Sequence, residues 1–399
     1  MAGLKWQRSG GVAIPMQLTG DLEKTINAVP LLPFDERVLD LLNDLSKRLI
    51  KVREYSDVAT FGFWCRKTAL LKEKRNYDDL HQRLGKGVVF HSTPSNVPVN
   101  FAFSFVAGLL AGNANIVRLP GKDFEQVTII VNAITELLEG EYSDLAPYLC
   151  FVKYATDKAL HDKFSSVCDV RVVWGGDGTI NEFRKSPLKP RATELTFADR
   201  YSIAVIKADE YLKTEDKQKI AQDFYNDTYF SDQNACTAPR IVYWMGENRE
   251  DAKEAFWASI KILARERYEL APVQAVGKLA AFYRAAAHRE VTLVDSDDSH
   301  VTRVYVEDAD DNLMEYKYNS GFYFERDIEK LEEILPISGE RLQTLTYLGL
   351  TKEELTEFFA VCRPKGIDRA VPMGKSMDFS LVWDGYDLIR QLSRRITIE

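Results

Sequence analysis

The sequence predicts an α/β fold: a doubly wound parallel sheet accompanied by a second α/β domain. Three observations predict it. Short apolar runs alternate with helical patterns from residue 85 onward, and a glycine-rich turn directly follows one of those runs. The 399 residues also exceed what one hydrophobic core comfortably holds.

Residues 1–83 open with a strand-like piece, Gly11-Val12-Ala13-Ile14, and then carry a long amphipathic helical region. Val38, Leu41, Leu42, Leu45 and Leu49 recur there at helical spacing, after a break marked by Pro30 and Pro33. This region is assigned to packing and subunit contacts.

From residue 87 the units repeat. Residues 87–91 read as a strand, 92–98 as a loop, 99–111 as a buried helix and 114–119 as a strand. A helix over 124–138 follows, then a strand over 149–153, a helix over 157–166 and a strand over 170–174. Parallel sheets built this way bind ligands beyond the carboxyl ends of their strands. The loops 92–98 and 175–179 lie at such ends. A strand over 203–206 and a helix over 214–227 lead to a polar loop, 230–240, before the apolar run Ile241-Val242-Tyr243-Trp244. The second α/β segment extends to about residue 372. Residues 307–312 read as an acidic surface turn, and the tail, 378–394, as Trp383-Asp384-Gly385-Tyr386 with an amphipathic helix.

Composition excludes several classes. A net charge of -8 argues against a general nucleic-acid binder, which needs surplus cations to displace counterions. The five cysteines are scattered and odd in number, which fits a reducing cytoplasm better than a disulfide framework. Dispersed histidines suggest no metal site. No signal pattern opens the chain, and the longest apolar stretch, 101–111, is too short to span a membrane.

Four places carry candidate chemistry. Cys236 lies in the polar loop between Ala235 and Thr237, where small neighbours leave the sulfur approachable and polar ones favour the thiolate. A buried, inert cysteine is the other reading. Gly175-Gly176-Asp177-Gly178-Thr179 follows a strand and opens a helix, so its backbone can approach a phosphate. It matches the dinucleotide fingerprint in part, because Asn181 stands where a glycine is wanted. Asn96, held between Pro94 and Pro98, presents an amide suited to an oxyanion hole, although Asn between prolines reads first as a turn residue. Arg118 ends a strand, where it serves either a ribose or phosphate or an ordinary surface charge.

Taken together, Pro94-Ser95-Asn96-Val97-Pro98, residues 108–119, the Gly175 turn and Gln233-Asn234-Ala235-Cys236 resemble the aldehyde dehydrogenase superfamily in order and spacing. The closer resemblance is to its acyl-CoA reductase branch, the LuxC-type fatty-acid reductases. The stretch 233–239 and the tail Gly366-Ile367-Asp368-Arg369-Ala370-Val371-Pro372-Met373-Gly374, running into Val382-Trp383-Asp384-Gly385-Tyr386-Asp387, point there. The resemblance covers about residues 85–394.

It implies an aldehyde-dehydrogenase-like fold, with a cofactor domain over 1–198 joined by the tail 375–399, and a catalytic domain over 199–374. Cys236 is implied as the acyl-accepting nucleophile, with Asn96 as the side-chain donor of the oxyanion hole beside the Cys236 backbone N–H. Pro94, Ser95, Arg118, Gly175, Gly176, Gly178 and Thr179 are implied around the cofactor. Arg118 stands where the superfamily usually has a Lys on the adenosine ribose, which favours NADPH, with NADH as the other choice. The implied reaction is NADPH-dependent reduction of an acyl-CoA to the aldehyde through an acyl-cysteine. An acylated carrier or enzyme is the other donor. Acyl-phosphate reduction, semialdehyde oxidation and a non-catalytic acyl-accepting subunit are the alternatives. The expected assembly is a cytoplasmic homo-oligomer. One departure stands out: Thr196 occupies the position of the base that hydrolytic relatives use, with Glu194 two residues earlier.

Overall fold

The computed structural model describes residues 7–8, 17–94, 97–295 and 298–399. The strand expected at 11–14 lies outside them. Contacts divide the chain into two compact units, Met1–Ala198 with Ser380–Glu399, and Asp199–Phe379.

In the first unit a seven-stranded sheet contains β1 (Gln7–Arg8), β2 (Gln17–Thr19), β3 (Val88–Ser92), β4 (Ala114–Arg118), β5 (Leu149–Lys153), β6 (Val170–Trp174) and β7 (Thr193–Phe197). Their order is β1-β2-β5-β4-β3-β6-β7. Strands β3 to β7 pair in parallel, and β2 and β1 add antiparallel at one edge. All five residues of β3 and of β6 are buried, which is why they do not alternate apolar with polar along their length; His91, Ser92 and Arg171 are the buried polar members. Its helices include α1 (Glu36–Leu49), α2 (Asn100–Leu110), α3 (Glu125–Glu139), α4 (Lys158–Val167) and α5 (Asp177–Arg184). The periodic residues of α1, Val38 to Leu49, are buried as their spacing predicts.

Strand order fixes where this sheet can hold a ligand. From β3 the chain moves to β4 on one side and returns to β6 on the other, a switch point whose carboxyl ends diverge. The loop after β3 and the Gly175 turn after β6 both leave from it.

The second unit holds another seven-stranded sheet: β8 (Tyr201–Lys207), β9 (Pro239–Met245), β10 (Val291–Asp295), β11 (Thr302–Val306), β12 (Phe322–Asp327), β13 (Leu342–Leu348) and β14 (Arg369–Pro372). The order is β10-β11-β12-β9-β8-β13-β14, with only β10 antiparallel to its neighbour. Helices α6 (Lys217–Thr228), α7 (Arg249–Arg267), α8 (Pro272–Ala286) and α9 (Lys352–Cys362) accompany it. Side chains alternate between two cores. Ile203, Val205, Ile241 and Tyr243 enter one, and Ala204, Ile206, Val242 and Trp244 the other. Each Val or Ile side chain among these contributes about 1.5–3 kcal/mol on burial, so β8 and β9 are the rigid floor from which the Cys236 loop rises.

Two readings change. Strand β7 has no counterpart in the sequence reading, because Thr193, Glu194 and Thr196 interrupt its apolar content. The amphipathic helix of the tail shrinks to Leu388–Leu392. Before it, Asp384 and Gly385 take positive φ and form a two-residue turn between Val382–Trp383 and Tyr386–Asp387. After it, Ser393–Arg395 pairs with Arg83–Gly85, far away in sequence. The acidic stretch 307–312 leads into a 3-10 helix, Asp311–Tyr316, which Asp310 caps through the Leu313 N–H. No helix among the described residues is long and apolar enough to cross a membrane.

Candidate active site

The Cys236 loop is built from its anchors. Helix α6 ends at Thr228, and after a short 3-10 turn Asp232 and Gln233 both adopt left-handed φ, 49° and 51°. Such a pair is unfavourable for residues with a Cβ. The Gln233 side chain, fully buried, offsets the cost: its Nε2 donates to the carbonyls of Pro239 (3.2 Å) and Phe322 (3.3 Å), and its Oε1 accepts from Gly321 N–H at 2.9 Å. Arg240, at the far end of the loop, donates to the Gln233 carbonyl, and to Tyr318 O and Asn319 Oδ1, both at 2.8 Å. Ser202 on β8 donates to the Cys236 carbonyl at 2.7 Å. Sequence that looks polar and loose is thus pinned at four points.

Cys236 itself is partly exposed and outside any disulfide. Cys65, Cys150 and Cys168 are buried, and burial pushes their thiols up, to about 12 for the last two. They are inert as nucleophiles. Arg240 is also buried, and desolvation lowers its guanidinium to about 10, while the charges of Asp199, Asp232 and Cys236 oppose that lowering. The interaction is mutual: a charged sulfur favours the cation, and the cation favours the thiolate.

In the first unit the Gly175 turn follows β6 as expected. Gly175 N–H donates to Phe197 O at 3.0 Å, and a Cβ there would press on Thr179 at 3.1 Å. Gly176 caps α5 without any side-chain hydrogen bond. A Cβ on Gly176 or Gly178 would meet nothing within 4 Å among the described residues. An exposed helix N-terminus with bare glycines admits an anion close to its N–H groups, although Asp177 adds a negative charge to the same turn.

Arg118 ends β4. Its guanidinium lies over the Tyr154 ring at 4.8 Å and donates to Tyr154 O at 3.4 Å, while its buried Nε has no partner among the described residues. Tyr154 OH and His161 Nε2 are likewise unpartnered. Thr93 donates to the Arg118 carbonyl at 2.6 Å, which joins the loop after β3 to the end of β4. Pro94 lies in that loop, half-buried. Ser95 and Asn96 lie outside the described residues.

The sequence model of one family, acyl-CoA reductase (LuxC), matches residues 66–395. The chain belongs to the acyl-CoA reductase (LuxC) family. Its relatives include the long-chain acyl-protein thioester reductase of Aliivibrio fischeri, 26% identical over 164 residues, 41% of this chain and 33% of that protein. The protein of that name from Photorhabdus laumondii is 21% identical over 322 residues, 78% of this chain and 63% of its own length. The chain therefore spans between a third and just under two thirds of these relatives. Among solved structures, an NAD-dependent benzaldehyde dehydrogenase from Corynebacterium glutamicum superposes with a TM-score of 0.60 at 12% identity, covering 91% of this chain and 85% of that one. A 1-pyrroline-5-carboxylate dehydrogenase from Thermus thermophilus gives 0.61 at 12%, covering 93% and 82%. The fold is that of the aldehyde dehydrogenases.

For this LuxC-family chain the question of Glu194 has a geometric answer. Its carboxylate accepts from Arg171 Nε (2.8 Å) and NH2 (2.5 Å) and from Arg184 Nε (2.9 Å). Both of its oxygens are therefore taken up by guanidiniums. Sequence reasoning missed the residues that support the switch point. His91, fully buried, contacts Ser104 Oγ (2.8 Å) and Asn115 Oδ1 (2.9 Å), and Trp174 Nε1 donates to Ser104 Oγ at 3.0 Å. Asn115 Nδ2 donates to Asn113 O, so its oxygen accepts from His91 Nε2. His91 Nδ1 then accepts from Ser104. This chain of donors ties the strand before the 93–99 loop to the strand before the Gly175 turn. No sequence signal marks it, since a buried polar network shows only in three dimensions.

Proposed function

We propose that the chain reduces a fatty acyl thioester to the aldehyde through a covalent acyl-Cys236. The observation that carries this is the setting of the cysteines: Cys236 is partly exposed on a pinned loop beside the buried Arg240 cation, Cys362 is partly exposed but ends helix α9, and Cys65, Cys150 and Cys168 are buried with raised thiols. The Cys236 thiolate attacks the acyl carbonyl, the new S–C bond forms as the donor's C–S bond breaks, and the donor leaves as its thiolate, which takes a proton from water. Asn96 is proposed as the side-chain donor to the oxyanion, with the Cys236 N–H as its partner. Reduction of the acyl-cysteine releases aldehyde and returns the thiolate.

A reduced nicotinamide cofactor, when bound, supplies the hydride for that reduction. The first unit fits such a group: the bare glycines 176 and 178 at the α5 N-terminus suit its phosphates, and the orphaned Nε of Arg118 suits its ribose or a 2′-phosphate. On that reading the first unit binds NADPH, with Pro94 and Ser95 beside it, and the second carries the nucleophile. The engagement of Glu194 by Arg171 and Arg184, with Thr196 in the base position, supports an acyl-enzyme that resists hydrolysis until it is reduced.

The donor is proposed to be an acyl-CoA. Relatives named as acyl-protein thioester reductases favour an acylated protein as the second reading. Side-by-side rates with acyl-CoA, acyl-protein, acyl phosphate, and aldehyde plus NADP separate these choices. The proposal expects aldehyde and stoichiometric NADPH oxidation from a thioester. Failure of every thioester tested to drive NADPH oxidation contradicts it.

A further inference from the structure

One buried carboxylate in the second unit has no part in the chemistry above, yet it grips the segment that touches the nucleophile loop. Asp227 sits in the last turn of α6, fully buried. Its Oδ2 accepts from Gly374 N–H at 2.6 Å and its Oδ1 from Ser376 N–H at 3.0 Å. The same segment is held from its carbonyl side by Arg369. The guanidinium donates to Ser376 O (2.8 Å), Lys375 O (3.0 Å) and Asp378 O (2.6 Å). A carboxylate thus takes the N–H groups of Gly374 and Ser376 and a guanidinium takes the carbonyls of Lys375, Ser376 and Asp378, both by charge-assisted bonds. Gly374 has φ +86°, and a Cβ there would lie 2.7 Å from Asp223 Cβ, so the close approach of this segment to α6 needs glycine.

What the clamp presents is Met377. Thr237 Oγ1 donates to its sulfur at 3.3 Å, and Thr237 is the residue directly after Cys236. A closed path therefore runs from Asp227 through the 374–378 segment and Met377 to Thr237, and back along the chain through Cys236 and Gln233 to α6. Gln233 and Arg240 fix the base of the loop, and this path fixes its crest. We propose that Asp227, with Arg369, is a positioning residue for acyl transfer, setting Met377 against Thr237 so that the Cys236 sulfur meets the acyl carbonyl at the reactive angle. The inference rests on Cys236 being the acyl acceptor.

Positioning and reactivity are separable. A small alkylating reagent needs only an accessible thiolate, whereas attack on a thioester needs the sulfur in one place, and displacement by about 1 Å costs up to about a hundredfold. The test is single-turnover acylation of the full chain by palmitoyl-CoA, followed by intact mass. Wild type, Asp227→Asn and Met377→Leu are compared, with iodoacetamide alkylation of Cys236 measured in parallel. The proposal expects Asp227→Asn to lower the maximal acylation rate at least about tenfold, with half-saturation and alkylation changed less than about twofold. Met377→Leu keeps the side-chain volume without the sulfur acceptor. It is expected to lower acylation severalfold with alkylation unchanged, and it decides the matter should Asp227→Asn fail to fold. Acylation within twofold of wild type in the folded variants overturns the proposal, as does an equal fall in acylation and alkylation. A wild-type protein that alkylates but never acylates at Cys236 removes the acceptor reading beneath it instead.

Discussion

Arg240 donates through its guanidinium to the backbone carbonyl of Gln233, so the two residues clasp the Cys236 loop across its base. The clasp places a buried cation within electrostatic reach of the sulfur, and the loop's geometry and its charge come from one side chain. Replacing Arg240 with Gln removes the charge. Iodoacetamide alkylation of Cys236 at pH 7 is expected to slow severalfold, because the sulfur loses a neighbouring cation. An unchanged rate means the cation does not act on the sulfur.

Gln233 carries the left-handed turn ahead of the nucleophile. In Gln233→Leu the Gly321 N–H and the Pro239 and Phe322 carbonyls lose their side-chain partner in a fully buried setting. Each orphaned group costs about 1–3 kcal/mol, so urea denaturation is expected to show a loss of at least about 2 kcal/mol. A loss under half of that removes Gln233 as the anchor.

Asp227 makes the second unit sensitive to pH. Burial raises its carboxyl to about 6, above the usual 3.8. The folded state then binds the proton more tightly than the unfolded state. Stability from this group is present below pH 3.8 and lost as pH rises through 6, by about 3 kcal/mol in total. Asn at this position has no such titration. The stability difference between Asp227→Asn and wild type is expected to move in favour of the variant from pH 4 to pH 7. A difference that stays constant with pH contradicts it.

His91 works in the opposite direction in the first unit. Burial lowers its imidazole from 6.5 to about 4. The neutral ring is favoured on folding, so the stability it contributes is present above pH 6.5 and lost as pH falls through 4, again by about 3 kcal/mol. Wild type is expected to lose more stability than His91→Gln between pH 7 and pH 4. Parallel curves for the two proteins exclude this assignment.

The fold was legible where burial is uniform. The runs at 149–153 and 170–174 coincide with β5 and β6, because strands covered on both faces carry apolar residues at all but one position each, Lys153 and Arg171. Strand β7 escaped because Glu194 and the two threonines answer to Arg171 and the sheet edge rather than to a core. The tail helix was overestimated because the pairing of Ser393–Arg395 with Arg83–Gly85 is set by contacts far along the chain. At the candidate site, the turn at Gly175 and the exposed position of Cys236 follow from local sequence. Gln233, Arg240 and Asp227 do not: a buried polar residue looks like any loop residue until its partners are seen.

Intact-mass analysis after exposure to a long-chain acyl-CoA, without cofactor, tests the central claim most directly. Wild type is expected to gain the mass of one acyl group, retained on the peptide containing Cys236 and removed by hydroxylamine, and Cys236→Ala is expected to gain nothing. An acyl adduct that persists in Cys236→Ala, or that maps to Cys362, contradicts the account.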